Sequence, residues 1–77
     1  MKPVEIAVGK TYVNRGAGKT QRKVLRIGKD IKAPWYSRAP RPDEMVVEFV
    51  TIKNSGIVSE KSTLYISSFA SWAGKLA

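Results

Sequence analysis

Met45-Val46-Val47-Glu48-Phe49-Val50-Thr51-Ile52-Lys53 is the stretch on which the fold turns. β-Branched and aromatic side chains dominate it, and apart from Glu48 and Thr51 it is apolar on both faces, which is the pattern of a strand with neighbours on either side. Such a strand runs through the middle of a sheet. Asn54-Ser55-Gly56 follows as a turn signal, and Ile57-Val58 resumes an extended pattern. The polar run Ser59-Glu60-Lys61-Ser62 then leads into a last short strand, Thr63-Leu64-Tyr65-Ile66. Ser67 or Ser68 is expected to cap a short helix starting near Phe69, since Phe69, Trp72, Ala73 and Leu76 recur at spacings of three and four.

Upstream, Lys10-Thr11-Tyr12-Val13-Asn14-Arg15 and Lys19-Thr20-Gln21-Arg22-Lys23-Val24-Leu25-Arg26-Ile27 flank Gly16-Ala17-Gly18 and read as a hairpin. Strict alternation along the second arm puts Leu25 and Ile27 on one face, with Val24, Arg26 and Arg22 on the other. A half-buried strand with a cationic outer side is expected. Between the hairpin and the central strand, residues 29–44 hold prolines at 34, 40 and 42, which forbid a continuous helix or central strand. This is a long Pro-rich basic loop centred on Pro34-Trp35-Tyr36-Ser37-Arg38, and loops of that length are often functional.

With 77 residues the chain makes a single small domain, residues 1–77. It holds no cysteine and no histidine, so neither a disulfide framework nor the usual zinc-ligand sets are available, and no metal or cofactor is expected. Packing alone must supply the stability. Tyr12, Phe49, Tyr65, Phe69 and Trp72 read as core or helix-to-barrel packing, with Tyr12 and Tyr65 near the core edge so that their hydroxyls find partners. Met1-Lys2-Pro3-Val4-Glu5-Ile6-Ala7-Val8 has too short an apolar run for a signal peptide or membrane span, so a cytoplasmic protein without membrane contact is expected.

Taken together, these elements predict a mostly β fold: a small, strongly bent antiparallel barrel, SH3-like first and OB-like second, with a short C-terminal helix. The chain resembles the compact SH3-like proteins encoded by phages, prophages and other mobile elements. The resemblance is carried by Gly9-Lys10-Thr11-Tyr12-Val13-Asn14-Arg15, Val46-Val47-Glu48-Phe49 and Leu64-Tyr65-Ile66-Ser67-Ser68-Phe69. It implies the barrel fold and roles ranging from nucleic-acid binding to inhibition of host enzymes.

Charge is distributed unevenly along the chain. Ten of the fourteen Lys and Arg lie between Lys10 and Arg41 with Asp30 the only acid among them, so that segment carries +9 and the rest −1. Such an asymmetry points to a polyanionic partner, either nucleic acid (DNA or RNA) or an acidic protein surface. Lys19, Arg22, Lys23 and Arg26 are the expected backbone contacts, joined by Lys32, Arg38 and Arg41 from the loop. Trp35 and Tyr36 admit three readings: stacking on unpaired bases, anchoring a protein interface, or folding back over the barrel. With only backbone and stacking groups apparent, sequence selectivity is expected to be weak. A monomer or a small homo-oligomer joined through a strand edge fits the same pattern.

Two further patterns are set aside. Gly16-Ala17-Gly18-Lys19-Thr20 ends like a phosphate-binding loop, but that motif needs a glycine where Val13 stands and a helix where Gln21 to Ile27 alternates as a strand. Catalysis without histidine or cysteine would fall to Asp43, Glu44, Glu48, Glu60 or a lysine, and the adjacent Asp43 and Glu44 read as a solvated acidic turn. A non-enzymatic binding protein is the expectation.

Overall fold

The strand read from residues 45–53 has a neighbour on either side, as its composition indicates, although the middle place in the sheet falls to the strand before it. In the computed structural model, which describes residues 1–16, 20–32, 44–53 and 55–77, β1 (Thr11–Asn14), β2 (Gln21–Gly28), β3 (Val46–Ile52), β4 (Ser62–Tyr65) and β5 (Ala73–Leu76) form one sheet ordered β4-β3-β2-β1-β5. All its pairings are antiparallel. β1 to β4 are a meander and β5 returns to β1, which is the SH3-like order and not the Greek-key exchange of an OB barrel. The sheet curls into a half-barrel around a core of Ile6, Tyr12, Val24, Val47, Phe49, Phe69, Ala70 and Ala73.

Phe69 stands at the centre of that core. Its ring meets Tyr12 edge-on at 5.6 Å and 86°, Phe49 at 5.3 Å and 60°, and Trp72 at 5.5 Å and 55°. Such offset and edge contacts are the arrangement the ring quadrupole favours. The residue that presents Phe69 is on α1 (Ile66–Trp72), joined without a gap to β4 before it and β5 after it. A seven-residue helix has little stability of its own and holds through packing. Glu44, 23 residues upstream, accepts hydrogen bonds from the Ser67 N–H and hydroxyl, satisfying a donor of the first turn.

The C-terminal segment therefore differs from the sequence expectation. The helix begins at Ile66 instead of near Phe69, and Ala73 and Leu76 belong to a strand. The helical spacing of Phe69, Trp72, Ala73 and Leu76 loses to the open edge of β1: Arg15 N–H donates to the Trp72 carbonyl at 3.0 Å and Ala77 N–H to the Thr11 carbonyl at 2.9 Å. Backbone groups that would otherwise meet water are paired by the sheet.

A second difference lies in β2. Residues Gln21 to Val24 pair with Ile52 to Phe49 in one register, and Arg26 to Gly28 pair with Glu48 to Val46 in another. Leu25 is the extra residue of a bulge, which inverts the alternation beyond it. Val24 and Ile27 both reach the core side, and Arg22 and Arg26 project from opposite faces.

Tyr12, expected at the core edge, is wholly buried at 0% exposure. Its hydroxyl accepts from the Ala7 N–H and donates to the Glu5 carbonyl, both at 2.8 Å. Burial costs the phenol nothing because the N-terminal segment, with a 3-10 turn at Pro3–Glu5 and Ile6 in the core, brings backbone partners to it. Tyr65 is also buried, in a second cluster with Val46 and Ile31. Val46 and Tyr65 are paired across β3 and β4 on the face opposite Val47, so Ile31 folds the start of the long loop over one corner of the sheet. Residues 33–43 of that loop, including its prolines, lie outside the described residues.

After β3 the turn forms as its composition indicates: Gly56 N–H donates to the Lys53 carbonyl at 2.8 Å and Lys53 N–H to the Ile57 carbonyl at 2.9 Å. Gly56 has φ 89°, a conformation glycine adopts without a Cβ penalty. Val58 then bridges back to Ile52.

Candidate functional site

Directly paired residues of an antiparallel sheet point to the same face. The register therefore defines the outer face of the sheet, away from Phe69, as a set of cross-strand rows. Lys75 of β5, Val13 of β1 and Gln21 of β2 continue to Ile52 of β3 and Val58 beyond it. Thr11, Lys23 and Val50 form the next row, and Arg26, Glu48 and Thr63 the one after the bulge. Lys23, Arg26 and Lys75 are exposed, with half-buried Val13, Val50 and Ile52 between them.

Glu48 is the acid of this face, and it is engaged. Arg26 donates through Nε to Oε1 at 3.2 Å and through Nη2 to Oε2 at 3.0 Å, a two-point contact with the carboxylate. The Glu48 side chain is 13% exposed and that of Arg26 61%. The hydrogen bond from Arg26 holds the Glu48 carboxyl below its ordinary range, against desolvation, with the Arg26 and Lys61 charges assisting. The same bond raises Arg26, with the charges of Glu48 and Asp30 adding to it. Lys23 and Lys75 face solvent, and among the described residues neither forms an ion pair.

Arg22 is placed differently. Its half-buried side chain lies on the core side, with the guanidinium 4.8 Å from the Phe49 ring centroid and 4.3 Å from that of Trp72. A planar cation stacked between two rings closes the open end of the aromatic cluster. Lys32 is exposed just after Ile31. Lys19, Trp35, Tyr36, Arg38 and Arg41 lie outside the described residues. The structure thus brings Lys23 and Arg26 to one face and sets Arg22 apart from them.

Lys75 was missed by sequence reasoning. The helical reading of Phe69 to Leu76 hid it, and four residues of edge strand carry too little alternation to reveal one. Among the described residues no group of His, Cys, Asp and Glu is arranged to hold a metal ion. No helix among them is long and apolar enough to cross a membrane.

The class these features define is a small, strongly curled antiparallel half-barrel with exposed cations on its outer sheet face. Comparison with protein-family models, with curated proteins and with solved structures finds no match for the chain.

Proposed function

We propose that this chain is a small non-enzymatic binding module that holds nucleic acid by its phosphates, acting in the cytoplasm. The observation that carries the reading is the outer face of the sheet. There Lys23, Arg26 and Lys75 share one side of three neighbouring strands, and its carboxylate, Glu48, is already engaged by Arg26. Neighbouring strands lie about 4.8 Å apart, so these cations span a surface wide enough for several phosphates. Lys32, Arg38 and Arg41 of the long loop extend the field, and Trp35 and Tyr36 supply faces on which unpaired bases stack. No group in this set reads base edges, so selectivity for sequence is weak.

Fluorescence anisotropy of labelled single-stranded and duplex oligonucleotides across a salt series tests the proposal. Binding should weaken linearly in log salt, with a slope of about −0.7 per phosphate contacted on single strands and about −0.9 on duplex. Lys23→Gln should weaken all sequences alike and take about one contact off that slope. Absence of binding at low salt defeats the reading.

A second reading is favoured by Val58, which is 56% exposed and paired with Ile52 on the same sheet face, with Ile57 also 62% exposed next to it in the chain. These aliphatics next to cations suit an acidic protein partner, as for a mobile-element factor that covers a host protein. A complex that survives moderate salt and is lost in Trp35→Ala, with oligonucleotide affinity unchanged, would favour this partner over nucleic acid.

A further inference from the structure

The seam between β1 and β5 carries a second cationic feature. Asn14, Arg15, Gly16, Gly74 and Lys75 line an open cleft of about 370 Å³ there. The geometry points to this cleft as a binding site for a phosphate group, holding a phosphodiester of the nucleic-acid backbone between Arg15 and Lys75. The inference rests on the nucleic-acid reading, shares Lys75 with it, and extends it to Asn14, Arg15, Gly16 and Gly74, which that reading did not contain.

The floor of the cleft is backbone held in place from both sides. Register moves from Val13 opposite Lys75 to Asn14 opposite Ala73, which leaves Gly74 as the extra residue of a bulge. A Cβ at Gly74 would stand 3.0 Å from Arg15 Cα, 3.2 Å from Arg15 N and 3.2 Å from the Asn14 oxygen. The two strands approach so closely that a side chain at Gly74 would fit only if the Arg15 backbone gave way slightly. Arg15 N–H is fixed on the Trp72 carbonyl at 3.0 Å, and Gly16 turns the chain away from β1 with φ 81°.

The walls determine what the cleft can take. Its side chains are a guanidinium, an ammonium and a carboxamide, with no carboxylate, aromatic ring or branched aliphatic among the five residues. Nothing here stacks a base or buries an apolar group. Charge-assisted hydrogen bonds to a hydrated anion are what these groups can make, with arginine matching phosphate at two points and lysine acting as a point charge. Both cations are exposed, and among the described residues neither forms an ion pair. Position favours a phosphodiester over a free phosphate. Lys75 stands on the outer face with Lys23, so the cleft continues the cationic track from β2 across β1 to the end of the hairpin.

Two arms test the site and separate its failure from failure of the nucleic-acid reading. In the first, inorganic phosphate is titrated into the chain while amide chemical shifts are followed. Shifts centred on Asn14 to Gly16 and on Gly74 and Lys75 support the cleft, whereas shifts spread evenly over the cations, or none, overturn it. In the second, a labelled single-stranded oligonucleotide is titrated across salt with the wild-type chain, the double variant Arg15→Gln/Lys75→Gln, and Lys53→Gln as an exposed cation elsewhere. Loss of two contacts should reduce the salt slope by about 1.4 and weaken binding about tenfold at low salt, with Lys53→Gln changing the slope by less. If the double variant binds as the wild type does, the cleft is not a phosphodiester site and Lys75 leaves the nucleic-acid reading, which then stands on Lys23 and Arg26. If the wild type itself does not bind, the nucleic-acid reading falls, and phosphate shifts at the cleft then assign it to a free phosphate.

Discussion

Tyr12 joins the core to the N-terminal segment through a single hydroxyl. Tyr12→Phe keeps the ring packed on Phe69 but leaves the Ala7 N–H and the Glu5 carbonyl to find other partners. The expected cost is about 1–3 kcal/mol, read as a lower denaturation midpoint at unchanged slope, with faster hydrogen exchange at Ala7. At the surface, Glu48 has its carboxyl lowered in the folded state by the hydrogen bond from Arg26. A depressed carboxyl contributes stability that is present above its unfolded value and is lost as pH falls through its folded value. Glu48→Gln should therefore lie below the wild type in thermal midpoint at neutral pH, and the gap should close in strong acid. A gap that persists undiminished in acid would assign the effect to packing of the side chain and not to its charge.

At the scale of elements, bulges decide which side chains meet. The extra Leu25 in β2 carries Arg26 to the outer face and onto Glu48, and the extra Gly74 in β5 brings the backbone of Arg15 within reach of the Trp72 carbonyl. Gly74→Ala places a methyl carbon against Arg15 backbone, which cannot rotate away as a side chain can. The strand must shift, at a cost of about 1–3 kcal/mol. Amides of Ala73 to Leu76 should then exchange faster than in the wild type while those of β2 and β3 keep their relative order; unchanged exchange in β5 would show that the seam absorbs the methyl without strain. α1 depends on neighbours in the same way, since Glu44 supplies its cap and Phe69 its anchor.

For the whole molecule, net charge and core size pull in opposite directions. A formal +8 on 77 residues repels itself, and a domain of this size buries too little to be more than marginally stable. Added salt screens that repulsion, so the thermal midpoint of the chain alone should rise with ionic strength. Oligonucleotide affinity should fall over the same range, because counterion release drives it. Calorimetry and anisotropy on one salt series check both signs at once. A midpoint that falls with salt would mean that ion pairs outweigh the repulsion. The field belongs to the β1–β2 hairpin and the following loop, while the outer face also recruits Lys75 from the far end of the chain.

Several features were legible in the sequence because they depend on neighbours along the chain. The alternation of Thr11 to Asn14 and Gln21 to Gly28 around glycines, the β-branched run of β3 and the turn at Gly56 are local properties, and they yield the hairpin, a strand with a neighbour on either side and the mostly β class. The rejection of a phosphate-binding loop has the same origin, since Gln21 opens a strand and not a helix. What the tertiary structure decided involves groups far apart in sequence. A one-residue bulge at Leu25 reverses the facing of everything after it, and no period in the sequence marks where the extra residue falls. Arg22 reads as a surface cation until β3 and α1 bring Phe49 and Trp72 to its guanidinium. Ala73 to Leu76 carry a helical spacing, yet they pair as a strand because β1 offers backbone partners that exist only once the barrel has curled. Composition and local order determined a basic β domain, and the competition for backbone hydrogen bonds across the sheet decided which of its charges share a face.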